Sequence, residues 1–161
     1  MLLSNFGHRR QQRESDCLVA CAEMALDHLG LQIGYQRLAK LLRAGPSYTP
    51  FGNLRLLEHL RLSITLGEQG DLSIFEHNIE IGLPVVVGVK TFTWAHWDGE
   101  VTRHAVVVVG IDRARSVIYI HDPFFAQAPI EMEFIPFETG WEELGRQYAV
   151  IGLAPPEDQS A

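Results

Sequence analysis

The most constraining feature of this chain is a pair of β-branched runs in its second half. Val85–Val89 and His104–Ile111 are apolar at nearly every position, including both residues of each successive pair. Side chains alternate faces along a strand, so a run apolar at consecutive positions has no wet face to present. These segments read as central strands covered on both sides. Val117–His121 and Ile130–Phe134 alternate and suit strands with one wetter face, and Gln147–Leu153 reads as a closing strand after a short helix at Glu138–Gly145.

Up to about residue 82 the pattern is helical. The clearest element runs from Asp16 to Leu29, with Ser15 or Asp16 as its cap and Gly30 where a left-handed C-terminal residue is wanted. Leu18, Val19, Ala20, Cys21, Ala22, Met24, Ala25, Leu26 and Leu29 cover nearly its whole circumference, as expected for a helix buried on most sides. Further helices are expected at Tyr35–Leu42, stopped by Gly45-Pro46, at Asn53–Leu60, and at Asp71–Ile81, stopped by Gly82-Leu83-Pro84. The expected architecture is α+β: a helical lobe over about 1–82, an antiparallel sheet lobe over about 83–154, and a frayed tail at 155–161. At 161 residues this is one domain, and 47% hydrophobic against 20% charged residues fits a globular core, not a disordered chain.

Composition also narrows the class of function. A formal net charge of −7 argues against nucleic acid as a partner. The longest apolar runs fall far short of the roughly 20 residues of a membrane span, and the first ten residues lack the order of a secretory signal. Cys17 and Cys21, the only cysteines, close no useful loop, so a reducing, cytoplasmic setting is expected.

Cys17 sits where the first helix begins. Unsatisfied N–H groups and the positive end of the macrodipole favour a thiolate there, whereas Cys21 lies one turn deeper among apolar neighbours. Both are equally accounted for as small core residues. A thiolate nucleophile needs a base and an orienter. Among seven histidines, His104 stands out because it opens an apolar strand that would anchor it rigidly at a cleft edge. Asp122 ends the next strand before Pro123. An antiparallel pairing of the two strands brings His104 beside His121-Asp122, where a carboxylate could fix the imidazole tautomer. Other features are less specific. Trp94-Ala95-His96-Trp97 is either a groove wall or, slightly preferred, a cap on the sheet. His96, His104, His121 and Asp122 lack the short paired spacing of a zinc site, so no metal is expected, and no glycine pattern calls for a nucleotide cofactor.

Specific segments go beyond spacing. Gln11-Gln12-Arg13-Glu14-Ser15-Asp16-Cys17-Leu18-Val19-Ala20-Cys21-Ala22-Glu23-Met24-Ala25-Leu26-Asp27-His28-Leu29-Gly30 resembles the nucleophile segment of the papain-like bacteriocin-processing (double-glycine leader) cysteine peptidases. His104 to Asp112 is similar to that family's His-centred strand, and Val117 to Pro123 to its Asp-Pro segment. The resemblance implies a papain-like fold and a peptide or protein substrate. It further implies Cys17 as nucleophile, His104 as general base, Asp122 as its orienter and Gln11 as an oxyanion-hole donor. Gln12 is the competing amide and lacks the matching offset. Leu18 stands where the family commonly has Gly. Many members are the first domain of an exporter with membrane helices and an ATPase, which this sequence does not contain, so cleavage coupled to export is not implied. The expected reaction is peptide-bond hydrolysis through a thioester. The rivals are the same triad used for deamidation, acyl transfer or other amide hydrolysis, and a peptide-binding module that does not cut.

Overall fold

The computed structural model describes residues 1–156. Six strands form one antiparallel sheet: β1 (Leu62–Gly67), β2 (Val85–Lys90), β3 (Arg103–Asp112), β4 (Val117–His121), β5 (Ile130–Glu133) and β6 (Tyr148–Leu153), in the order β1-β6-β2-β3-β4-β5. The helices are α1 (Cys17–His28), α2 (Tyr35–Leu41), α3 (Leu72–Glu80) and α4 (Phe134–Glu142), joined by a 3-10 helix at Phe51–Leu60 and two short 3-10 turns at Thr91–Thr93 and Ala95–Trp97.

The continuous valine runs do cover both faces. Val86, Ala105, Val107 and Val109 enter one core with α1, Leu38 of α2, and Leu54 and Leu57 of the 3-10 helix. Val85, Val87, Val89, Val106 and Val108 enter a second core with Phe75 and Ile79 of α3 and Phe137 and Trp141 of α4. The sheet is thus the middle of three layers, and two-sided burial removes any polar face from β2 and β3.

Three expectations need correction. First, Leu62–Gly67 is a strand, not part of a purely helical first half. Leu62 and Ile64 point into the α1 core while Ser63 and Thr65 are exposed, the period of two that defines a half-buried strand. It pairs along its whole length with β6, from Leu62 opposite Leu153 to Gly67 opposite Tyr148. Second, the third helix is a 3-10 helix that begins at Phe51, directly after Pro50. Third, the late helix starts at Phe134, four residues before the expected position, because β5 ends at Glu133. The expected tail at 155–161 lies mostly outside the described residues.

Helix α1 ends as read. Gly30 has φ +82, Leu31 N–H donates to Leu26 O and Gly30 N–H to Asp27 O, the Schellman pattern that only a left-handed residue allows. At its start, Asp16 occupies the N-cap position, but its carboxylate makes no cap bond. It is fully buried and accepts instead from Tyr35 Oη at 2.6 Å and Arg13 Nε at 3.0 Å. That bridge fixes α1 to α2, and burial together with the bond to Asp16 pushes the Tyr35 hydroxyl well above its usual range.

Candidate active site

Cys17 opens α1, and α1 packs on β3, whose second residue is His104. Both side chains line one cleft of about 210 Å³, together with Tyr48–Gly52, Gly88, Ala105 and Gln147, whose side chain packs over Gly88. A larger groove of about 700 Å³ between β1, β6 and α3 contains no cysteine and no carboxylate.

Strands β3 and β4 pair antiparallel, with Val107 opposite His121, and a bulge at Val109 shifts the register beyond. The pairing delivers Asp122, one residue past β4, to His104: Nε2 of the ring lies 2.6 Å from Oδ1. Both groups are buried, at 3% and 0% side-chain exposure. A carboxylate only accepts, so Nε2 carries the proton and Nδ1 is left as the basic nitrogen. Cys17 lines the same cleft as this ring. Burial works against charge on His104, yet the bond and charge of Asp122, with Cys17 nearby, win and push its pKa up to about 9. Burial likewise opposes the Asp122 carboxylate, but His104 and His96 hold it well below the usual carboxylate range.

Asp122 accepts more than the sequence reading foresaw. His96 Nε2 lies 2.9 Å and Trp97 Nε1 3.0 Å from Oδ2, while Phe124 N–H donates to Oδ1 at 3.0 Å. Trp97 also stands edge-on to His104 at 4.8 Å between ring centroids. The 94–97 loop therefore serves two ends. Trp94 stacks on Phe137 of α4, as a sheet cap should, whereas Trp97 covers the imidazole–carboxylate pair and keeps water from it. Neither tryptophan lines the cleft. The available signal was position: a His and a Trp in the loop immediately before the His104 strand.

Gln11 lies beside the Asp122 segment, where its backbone N–H donates to Pro123 O at 2.9 Å. Its side-chain Nε2 donates to Arg13 O at 2.9 Å and Glu14 O at 2.8 Å, and Oε1 is buried with no partner. Both amide hydrogens are thus spent on the turn that presents Cys17, and Gln11 is not among the cleft-lining residues. Gln12 is exposed, and its N–H meets Tyr35 Oη at 3.2 Å. Burial and the nearby Cys17 and Asp122 push the Cys21 thiol well above its ordinary range, so it is the inert member of the pair. His8 lies with Nδ1 3.0 Å from His121 Nδ1 and Nε2 2.7 Å from Phe125 O.

The Peptidase_C39 like family model matches residues 4–149. This chain belongs to that family. Its solved neighbours share the fold at low sequence identity. A putative C39-like peptidase from Bacillus anthracis superposes with a TM-score of 0.76 at 17% identity, covering 96% of this chain and 98% of that one. The peptidase domain of Streptococcus ComA, a bi-functional ABC transporter involved in a quorum-sensing pathway, gives 0.74 at 19%, covering 92% and 99%. A double glycine motif protease from an AMS/PCAT transporter, solved in complex with the leader peptide, gives 0.69 at 14%, covering 94% of each chain. No curated protein matches the sequence. The α+β, papain-like C39 fold and membership of a cysteine-peptidase family follow. Among the described residues no helix is long and apolar enough to cross a membrane, and no group of three or more His, Cys, Asp or Glu is placed to hold a metal.

Proposed function

We propose that this protein is a cysteine peptidase that hydrolyses a peptide bond through Cys17, His104 and Asp122. The observation that carries the reading is the cleft shared by Cys17 and a His104 whose other nitrogen is bonded to a fully buried carboxylate. The Cys17 sulfur, as thiolate, attacks the scissile carbonyl carbon, and the electron pair moves onto oxygen. Collapse of that intermediate expels the amine, which takes a proton from His104 Nδ1, and leaves a thioester. His104 Nδ1 then removes a proton from water. The hydroxide attacks the thioester and releases a carboxylate product and the thiol. Asp122 keeps Nε2 protonated and stabilises the imidazolium throughout, without taking the proton.

Gln11 is assigned to the oxyanion. A substrate carbonyl at Cys17 competes with Arg13 O and Glu14 O for its Nε2 hydrogens, and such a donor is typically worth about 3–4 kcal/mol in the transition state. The Gln147 side chain packs over Gly88 and narrows the cleft, so the residues next to the scissile bond are expected to be small. A double-glycine site of the kind named for the solved neighbour fits a cleft narrowed in this way. Residues 1–161 act as one catalytic unit, and two unpaired cysteines suit a reducing cytoplasm.

The test is incubation of wild type and Cys17→Ala with a peptide mixture containing Gly-Gly sites and Leu-Leu counterparts, with cleavage sites read by mass spectrometry. Cutting after Gly-Gly by wild type alone is expected. Equal cutting by Cys17→Ala refutes the nucleophile, and no cutting of any peptide refutes the peptidase reading.

A further inference from the structure

The acidic character of this chain is unevenly distributed. Residues 35–61 hold five cations, Arg37, Lys40, Arg43, Arg55 and Arg61, against the single carboxylate Glu58, while the rest holds eight cations against nineteen carboxylates. All five cations are exposed. Only Arg55 has an acidic partner, Glu58 at 2.9 Å; the other four lie in no ion pair among the described residues. Arg37 and Lys40 are one turn apart on α2, and Arg43 follows just past its C-cap with a left-handed backbone. Asn53 Nδ2 donates to Leu42 O at 2.9 Å and holds the end of α2 against the 3-10 helix.

This basic layer is continuous with the catalytic cleft. Tyr48–Pro50, just before the 3-10 helix, and its first residues Phe51 and Gly52 line the cleft. Gly52 borders both the cleft and a neighbouring depression of about 400 Å³ lined by Arg43, Asn53, Arg55, His59 and one carboxylate, Glu58. A peptide leaving the cleft on that side therefore lands beside Arg43, which has no acidic partner among the described residues, and the Arg55–Glu58 pair. Self-repulsion among exposed like charges stabilises nothing in the free protein, and an anionic ligand relieves it. At the cleft itself, Arg103 lines the opening and stands directly opposite Lys90 across β2 and β3, again with no acidic partner among the described residues.

We infer that the basic layer formed by α2 and the 3-10 helix reads carboxylate side chains in the substrate, so that the preferred peptide carries an acidic segment flanking a small-residue scissile site. This rests on the peptidase reading for the identity of the occupant as a substrate. The interaction is long-ranged, selects encounter and is screened by salt.

The probes are synthetic peptides with one Gly-Gly site, carrying a cluster of Glu residues on the N-terminal or the C-terminal flank, and counterparts with Gln at those positions. Binding is followed by fluorescence anisotropy with full-length Cys17→Ala protein, and cleavage of the same peptides with wild type. In about 20 mM salt one Glu peptide is expected to bind about tenfold tighter than its Gln counterpart. That preference should vanish at about 500 mM salt, where the Debye length is only a few ångströms. It should also vanish in Arg37→Glu/Lys40→Glu/Arg43→Glu, with Gln-peptide binding unchanged. Arg43→Gln and Arg55→Gln, which demand less of the fold, should each weaken it partway. Equal binding of Glu and Gln peptides, or a preference that survives charge reversal, overturns the inference. Cleavage of the Gln peptide by wild type reports on the peptidase reading separately, so either idea can fail alone.

Discussion

Replacing Asp122 with Asn tests the centre of the site, because the geometry leaves the amide no good orientation. Phe124 N–H points at Oδ1 and Trp97 Nε1–H at Oδ2, and both groups can only donate. Whichever side receives the new NH₂ therefore faces an obligate donor, and His104 loses its anionic partner as well. The charge-assisted bond is worth about 1.5–3 kcal/mol and a stranded buried donor costs about 1–3 kcal/mol, so Asp122→Asn should lose about 3–5 kcal/mol of stability. Urea unfolding at neutral pH followed by circular dichroism measures it. Trp97→Phe keeps a ring beside His104 while removing the donor on the Oδ2 side. There the Asn NH₂ can turn toward residue 97 without meeting an indole donor, so the double variant should recover about 1–3 kcal/mol relative to additivity. Additive losses, or an Asp122→Asn protein within about 0.5 kcal/mol of wild type, would refute the account of a carboxylate saturated by donors.

Iodoacetamide at about pH 6 should modify Cys17 and leave the fully buried Cys21 untouched, as read by peptide mapping; equal labelling of both would contradict the assignment. Gln11→Ala should lower kcat by about 100-fold or more, and Gln12→Ala by little, in a fluorogenic peptide assay, and the reverse ranking moves the oxyanion site. Burial, and then the neighbouring His8, hold the His121 pKa down to about 4. The unfolded chain, with a pKa near about 6.5, binds more protons than the native one across that interval. Stability should therefore fall as pH drops from about 6.5 to about 4, and His121→Asn should flatten that part of the pH–stability curve. The His104 imidazolium works in the opposite sense. Its raised pKa gives stability that is complete below about 6.5 and lost as pH climbs through about 9, a loss that Asp122→Asn should diminish.

Much of this was readable from residue pattern. The β2 and β3 runs announced a two-faced sheet, and Gly30 announced the end of α1, because solvent exclusion and backbone handedness act on residue type directly. The position of Asp122 beside His104 followed from strand order alone. Strand β1 was missed although Leu62, Ser63, Ile64 and Thr65 alternate, since leucines at helical spacing lead straight into it. The 3-10 character of Phe51–Leu60 had no signature, because apolar spacing does not distinguish its hydrogen-bond pattern from that of an α-helix. The pairing of Asp16 with Tyr35, and of His96 and Trp97 with Asp122, depends on chain paths converging in space. No local rule reports such convergence. The bonds of the Gln11 amide to Arg13 O and Glu14 O have no signature in the spacing, because they depend on the path of the turn before Cys17.

The edge strand supplied by residues 62–67 zips onto the last strand of the described chain, and between them the polypeptide runs through every other strand and two helices. Neither half is then self-sufficient: cut at the 82/83 junction, the leading fragment would hold a lone ribbon and the trailing one an exposed sheet margin. The two pieces should fold only when mixed, and the nucleophile would meet its base only in the reunited pair.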